Sequence, residues 1–335
     1  MNDDTPIKLA ATVHVVRRQS GLLLHCRRTG QTLRLSAAAA ALLPPLTQGS
    51  SVAGLVQTMR TAFPNATGLP QKVQGFLAPL ERNGMLAVDE TGTGGAGATR
   101  VWPPRHVLLR SSAWLDPVAA ALLHVPPGAR KAAWALLVAV CALLLWQLQT
   151  SGLWPGLKQA LIGFDLRGLL IFAGVVLVHE AAHALVCRMA GAPVRAAGIV
   201  WHGGMMPGPF VDTSHASYLP SRWARFAIPA AGPMVNLLGA GLCAAMLLRH
   251  PDAAWNEAWR SAFIVCVAFV FFDLNPLVAS DGSHMLEAAL DDELARQVAL
   301  RPELATLTSR RAIRAYRFAC VLWVTAMAAH FRWWW

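Results

Sequence analysis

Charged residues are scarce in this chain, and their scarcity excludes an ordinary soluble protein. Asp, Glu, Lys and Arg make up 14% of the 335 residues, hydrophobic residues make up 55%, and the mean hydropathy is +0.42. Soluble domains usually carry about a quarter charged residues. The deficit is uneven, because residues 1–130 have an ordinary composition and the long uncharged stretches follow Lys131. We therefore predict a membrane protein with a soluble N-terminal region.

Signals of several other protein classes are also missing. The six cysteines form no CxxC pair and five of them lie in apolar segments, so neither a disulfide framework nor a cysteine metal site is expected. The net charge of +11 could suit nucleic acid, but no basic, aromatic-interleaved face accompanies it, and we expect no nucleic-acid partner. No apolar core follows the polar residues 1–6, so we predict no signal peptide and a cytosolic N-terminal region.

Composition divides the chain into four parts: a small α+β domain at 8–90, a Gly-rich flexible linker at 91–100, a membrane-approach segment at 101–130 and a membrane core at 131–335. The first part is predicted to be winged-helix-like, because short strands precede amphipathic helices that Ser36 and Ser51 can cap. Its predicted strands are 11–17, 22–26, 32–35 and a closing strand at 85–88.

The core contains apolar stretches that are candidates for membrane-spanning helices, each of which needs about 20 residues. They are 132–148, 168–187, 226–248, 261–272 and 318–331. The last is short unless Tyr316 and residues 333–335 anchor it at the membrane interface. Lys and Arg collect in alternate loops, and the positive-inside rule then places the N-terminus in the cytosol. We predict a multi-pass α-helical protein of a bacterial-type inner membrane, with about five transmembrane helices.

The strongest signal for chemistry is the sequence His179-Glu180-Ala181-Ala182-His183 in the second stretch. Residues i and i+4 share one helix face, so both imidazoles can bind a single zinc ion. The glutamate beside them can then accept a proton from zinc-bound water. Ionisable residues inside an apolar segment are costly and therefore indicate function. The alternative is a helix at the membrane interface with incidental polar residues.

A catalytic zinc site usually has three protein ligands and one open position, so a third ligand must come from elsewhere in the chain. The fourth apolar stretch runs into Pro276 and Gly282, which would break a helix. Irregular backbone at membrane depth is tolerated where it lines a cavity, and such a break can direct a carboxylate at a metal. Asp281 and Asp273 are the two candidates. Asp281 is preferred, because a glycine follows it and the helix break precedes it.

An HExxH sequence on one apolar helix and an NPx4DG sequence on a later one resemble the site-2 protease family of intramembrane zinc metallopeptidases. The resemblance spans about residues 165–290. It implies that zinc is the cofactor, that Glu180 is the catalytic base and that the zinc ligands are His179, His183 and Asp281.

A further stretch, 231–236, resembles the AGPxxN segment of the same family and implies that Asn236 holds the substrate near the metal. A hydrogen bond between helices is the alternative role for this amide in an apolar run. The sequence departs from the family pattern at three positions, which leaves the substrate geometry open: Asp273, Val278 and Ser280.

The resemblance is closest to a branch of peptide zinc metalloproteases in which a PqqD-like region precedes the membrane core. Residues 8–90 resemble PqqD-like domains in their strand-rich start, the turn at 34–36 and the ending at 80–86. This implies that the region binds the leader peptide of a ribosomally made substrate. A generic small α+β domain is the alternative. In the same branch a Pro-x-x-Val-Asp stretch precedes the third core helix, and residues 207–212 are similar to it.

The Gly- and Pro-rich segment 191–222 predicts a re-entrant hairpin, partly inserted in the membrane, over the site. It contains His202, Asp212 and His215, to which we assign no role, since loop residues of these types are more often solvated.

These patterns predict a membrane-embedded zinc endopeptidase in the lipid bilayer, whose substrate is a ribosomally made peptide or a membrane-anchored protein. One alternative is a non-hydrolytic peptide-binding or peptide-export accessory protein that retains the zinc site, but a pure binder does not need the Glu180 base. Another is a zinc enzyme of a different class, such as a lipid hydrolase, which the NPx4DG and AGPxxN stretches disfavour.

Overall fold

The computed structural model divides the chain into two compact units, Met1–Trp102 and Pro103–Trp335. The structure describes residues 6–18, 21–26, 32–87, 105–110, 113–156, 165–202, 206–250, 254–301 and 309–334. The predicted linker at 91–100 lies outside these residues.

The first unit contains a three-stranded antiparallel sheet and a set of short helices. The strands lie in the order β1 (Val13–Arg18), β2 (Gly21–Cys26), β3 (Thr32–Leu35). The helices are α1 (Ala37–Ala40), α2 (Leu43–Gln48), α3 (Val52–Ala62) and α4 (Leu69–Arg82). Their apolar faces enclose a core in which Leu24, Leu46, Leu55 and Leu80 are fully buried.

The local signals at the helix starts act as the sequence predicted. The Ser36 and Ser51 hydroxyls accept hydrogen bonds from backbone N–H groups and cap α1 and α3. The closing strand is different: the described residues 85–87 form a single bridge, in which Leu86 pairs with Leu9, and Val88 lies outside the described residues.

The second unit is mostly helical. Its helices are α5 (Asp116–His124), α6 (Pro127–Thr150), α7 (Leu166–Met189), α8 (Arg222–Arg249), α9 (Asn256–Asp273), α10 (Asp281–Ala289), α11 (Ala295–Leu300) and α12 (Arg310–Trp334). Within the described residues, four helices are long and apolar enough to cross a membrane: α6, α7, α8 and Arg310–Ala329 of α12.

These four helices contain the first, second, third and fifth of the predicted apolar stretches. The fourth stretch lies in α9, which is 18 residues long and carries Glu257, Arg260 and Asp273. It is therefore not among the helices that meet both conditions, and the predicted number of about five spans stays a prediction.

Helix α8 is the centre of the helical unit, because 56% of its most apolar window is buried, against 11–22% in the other three candidate spans. Small residues let its neighbours approach closely. A side chain at Gly239 would contact Val175 of α7 and Cys266 of α9, and one at Gly241 would contact Cys141 of α6. The central helix thereby brings α6, α7 and α9 together.

A second three-stranded antiparallel sheet belongs to the helical unit. Its strands lie in the order β4 (Arg105–Leu109), β5 (Ala197–His202), β6 (Met206–Val211). Strands β5 and β6 form a hairpin within the segment 191–222, where the sequence predicts one. Strand β4 comes from the segment 101–130, for which composition indicates only an approach to the membrane. It pairs with β5 across the register His106–Ile199.

Candidate metal centre

The two histidines of the HExxH sequence lie on one face of α7 and are buried, with 8% and 7% of their surfaces exposed. Their Nε2 atoms are 3.1 Å apart, and their rings are nearly perpendicular, at 83°. The helical spacing of four residues produces this arrangement, as the sequence predicted. Both nitrogens therefore point toward one small volume beside the helix.

The ring of His183 is held by a backbone group of α8. Its Nδ1 lies 2.7 Å from the carbonyl oxygen of Ile228. Since a carbonyl oxygen can only accept, Nδ1 must donate the proton, and the neutral ring then presents an unprotonated Nε2. A hydrogen bond of this kind fixes both the tautomer and the ring orientation of a metal-binding histidine.

Asp281 meets the histidine pair from the far side of the broken helix. Its Oδ2 lies 3.4 Å from Nε2 of His179 and 3.2 Å from Nε2 of His183. It is the first residue of α10, whose N-cap is Ser280. The Ser280 hydroxyl accepts from the Ser283 N–H, and the Ser283 hydroxyl accepts from the Ser280 N–H, which forms a capping box.

The departure from the family pattern at Ser280 therefore has a local role, because this serine starts the helix that carries Asp281. The preceding loop 274–280 is also fixed. The Asn275 side chain accepts from the Leu277 N–H, and the Ser280 hydroxyl donates to the Asn275 carbonyl. Gly282 packs against the Leu274 backbone so closely that a Cβ would lie 2.6 Å from its Cα. Only glycine fits this approach.

Helix α12 holds the same loop from outside. The Tyr316 hydroxyl donates to the Pro276 carbonyl at 2.8 Å, and the Trp323 indole donates to the Phe271 carbonyl at 3.0 Å. Tyr316 is fully buried, so the expectation that it lies at the membrane interface is wrong. The side chains of residues 333–335 lie outside the described part of the chain. Hydrophobic patterning gave no sign of either hydrogen bond.

Asp273, the rival to Asp281, occupies a different position at the site. Its Oδ2 is 3.8 Å from Nδ1 of His179, the ring nitrogen that faces away from His183, and accepts a hydrogen bond from the Asn236 amide at 2.6 Å. Asn236 is fully buried on α8 and its Oδ1 has no hydrogen-bond partner among the described residues. The amide thus makes the helix–helix hydrogen bond that was the alternative role, and it retains one unused acceptor.

The donor atoms match the geometry of tetrahedral zinc. With bonds of about 2.0–2.2 Å, tetrahedral zinc holds its ligand atoms about 3.3–3.5 Å from one another. The two Nε2 atoms and the Asp281 Oδ2 are separated by 3.1, 3.2 and 3.4 Å. Two imidazoles and one carboxylate are also a usual set of ligands for catalytic zinc, which leaves one position open. The residues present therefore fit this ion.

Glu180 lies beside this triangle of donors. Its carboxylate can be placed within 4.8 Å of the ligand nitrogens of both histidines. On its other side the backbone of Val211, the last residue of β6, hydrogen-bonds to the carboxylate. The hairpin therefore meets the helix at the residue that the sequence predicts to be the base.

The three polar residues of the hairpin segment that the sequence left unassigned do not join the donor groups found among the described residues. Asp212 accepts from the Ser214 N–H, and its own N–H donates to Ala196. His215 is buried beside Tyr218, with ring centroids 5.6 Å apart. The side chain of His202 lies outside what the structure describes. Asp212 and His215 thus lie in local structure.

Gly232 on α8 packs directly over the two histidines, which the AGPxxN stretch did not reveal. A Cβ at this position would lie 2.5 Å from Nε2 of His183 and closer still to Nε2 of His179. Both rings would have to turn away. We expect Gly232→Ala to lower zinc affinity about 10–100-fold, measured by competition with a chromophoric chelator.

The matched control for this substitution is Gly174→Ala on α7, where a Cβ would meet nothing within 4 Å. An alanine there removes chain freedom without a clash, and zinc affinity should stay at the wild-type value. If Gly232→Ala binds zinc as tightly as the control does, the histidine nitrogens do not lie where the structure places them.

Comparison with protein families gives one match. A sequence model of Peptidase family M50, the site-2 protease family, matches residues 167–253. The matched stretch contains the histidine pair, Glu180, Gly232 and Asn236, and it ends before Asp281. Searches among curated proteins and among solved structures gave no match. The family match and the four apolar helices support a membrane metallopeptidase in general terms.

Proposed function

We propose that the chain is a membrane-embedded, zinc-dependent endopeptidase with His179, His183 and Asp281 as zinc ligands. The observation that carries this proposal is the triangle of donor atoms, whose sides of 3.1–3.4 Å suit one tetrahedral zinc ion. The predicted base, Glu180, adjoins the triangle. Asp273 lies at the opposite nitrogen of the His179 ring, which suits an orienting role better than a ligand role.

The chemistry is hydrolysis of a peptide bond. Bound zinc polarises the scissile carbonyl and lowers the pKa of a water molecule toward about 7. Glu180 accepts the proton of that water as the water attacks the carbonyl carbon, and it then delivers the proton to the leaving amine. The unused Oδ1 of Asn236 can accept a backbone N–H of the substrate, which agrees with the role that the family resemblance implies.

Strand β6 is the candidate edge for binding an extended substrate. Its Asp212 neighbour donates to β5, and successive residues alternate, so the Val211 N–H points to the open edge. Pro207 and Pro209 have no N–H and must also face that edge. The edge therefore offers carbonyl acceptors and the Val211 N–H, and a peptide added there would mostly donate hydrogen bonds to β6.

The two other hypotheses make different use of the same site. A peptide-binding or peptide-export accessory protein would need the donor triangle but not Glu180, which lies beside it. A lipid hydrolase would need no edge strand. The position of Glu180 between the histidines and β6 favours the endopeptidase.

The remaining parts of the proposal concern the substrate and the orientation. A PqqD-like first unit would bind the leader peptide of a ribosomally made substrate and deliver it to the membrane unit. The positive-inside rule places this unit in the cytosol. A membrane-anchored protein is the second substrate class.

Removal of the metal tests the proposal directly. Purified full-length protein, loaded with zinc, is incubated with synthetic apolar peptides and with phospholipid, and the products are identified by mass spectrometry. We expect peptide cleavage that a chelator stops and that added zinc restores. Lipid products without peptide products, or cleavage that survives complete zinc removal, would overturn it.

A further inference from the structure

An apolar cavity of about 260 Å³ lies between the second sheet and α7. All three strands of the sheet contribute to its walls, as do Trp114 and Leu115 of a short 3₁₀ helix. Glu180 is the one ionisable group among the described residues that line it. The cavity therefore ends at the carboxylate that is the proposed base.

The wall opposite α7 is built by the segment that precedes the first membrane helix. Strand β4 pairs with β5 across Gly198, where a Cβ would collide with the His106 backbone. Leu115 is buried, with 5% of its surface exposed, in the cluster that contains Ala184. Asp116 then pairs with Arg188 at the end of α7, with Oδ1 2.6 Å from Nε. Strand pairing, burial and an ion pair thus fix this wall.

The helix side of the cavity is open because its residues are small. Ala181 and Ala184 line the cavity on α7, one helical turn apart, and larger side chains there would fill it. An apolar cavity of about 150 Å³ is large enough to hold benzene. The cavity found here is larger, so it has room for a branched aliphatic or an aromatic side chain.

We propose that this cavity binds the apolar side chain of a substrate residue next to the bond that is cleaved. The inference rests on the proposed function and adds a preference for large apolar residues at one position. Val211 both lines the cavity and hydrogen-bonds to Glu180, so a peptide along β6 would place a side chain in the cavity beside the base. A lipid acyl chain is longer than the cavity and would leave these polar backbone groups unused.

Trp114→Ala tests the proposal, because the indole forms one wall and is 59% exposed, so its removal leaves the core intact. Zinc-loaded full-length protein is given a library of short synthetic peptides of randomised sequence, and mass spectrometry identifies the new termini. We expect the wild type to favour Leu, Ile or Phe over Ala at one position beside the cleaved bond by at least about tenfold. The variant should lose most of this preference or shift it toward Trp.

The matched control is Trp146→Ala on α6, which removes an indole that is 67% exposed and does not line the cavity. It should retain the wild-type preference. Cleavage without preference, or the same preference in wild type and Trp114→Ala, would overturn the proposal while leaving the endopeptidase intact.

A binding measurement separates this result from failure of the proposed function. The Glu180→Gln protein is irradiated with an apolar peptide that carries benzoylphenylalanine, and the crosslinked residues are identified. We expect crosslinks to the segment 108–115. If these form but the wild type cleaves no peptide, the cavity proposal holds for a binding protein and the endopeptidase fails. If a photoactivatable lipid labels the segment and the peptide does not compete, the cavity proposal fails.

Discussion

Replacement of Glu180 by glutamine is expected to reduce peptide hydrolysis by about 10²–10⁴-fold and to leave zinc bound. Glutamine has the shape of glutamate but cannot accept the proton of the attacking water. The donor triangle does not include residue 180, so metal affinity should be unchanged. Single-turnover cleavage of a peptide and metal analysis of the same sample measure both quantities.

The control for this variant is Glu257→Gln on α9, a side chain that is 62% exposed. It makes the same chemical change away from the donor triangle and should retain full activity. If Glu180→Gln keeps full biological activity, hydrolysis is not the function, and the accessory-protein hypothesis takes its place. If it instead loses zinc, Glu180 is a ligand, and the proposed division of roles is wrong.

Replacement of Asp281 by alanine should have the largest effect on the metal, with a loss of zinc affinity greater than about 100-fold. Its Oδ2 lies within 3.4 Å of both Nε2 atoms, and two imidazoles alone leave the ion with too few protein ligands. Asp273→Ala is the matched comparison, because this carboxylate faces the Nδ1 side of His179. Loss of an orienting group usually costs about 10–100-fold, so it should retain more affinity.

Competition with a chromophoric chelator measures both affinities. Circular dichroism of each variant shows whether the helices have formed. If Asp273→Ala loses more zinc than Asp281→Ala, the carboxylates have exchanged roles. Since Asp273 also accepts the Asn236 amide, its variant should in addition raise the KM for peptides.

The parts of the site that the sequence predicts are those that depend on local spacing. Two histidines four residues apart share a helix face whatever surrounds them, and their Nε2 atoms are 3.1 Å apart. The interruption between α9 and α10 follows from the Pro276 and Gly282 signals. Ser280, read only as a departure from a family pattern, has a local role that a search for capping boxes could have found.

The parts that the sequence did not predict come from contacts between distant residues. Strand β4 pairs with β5, which follows it by about ninety positions, and no periodicity within 101–130 indicates that partner. The hydrogen bond from Tyr316 to Pro276 joins two residues with no shared pattern. The contact of Gly232 with the histidine rings depends on how α7 and α8 cross. Such pairings require the assembled fold.

The hydrogen bonds from α12 to the loop before Asp281 have a consequence for biosynthesis. The ribosome makes His179 and His183 first, the aspartate later, and the Tyr316 and Trp323 side chains that hold its loop later still. A nascent chain that has inserted α6 and α7 carries the histidine pair without its third donor. The proposed enzyme would therefore stay inactive during translation, and its neighbours in the membrane would be safe from cleavage until the last helix is in place.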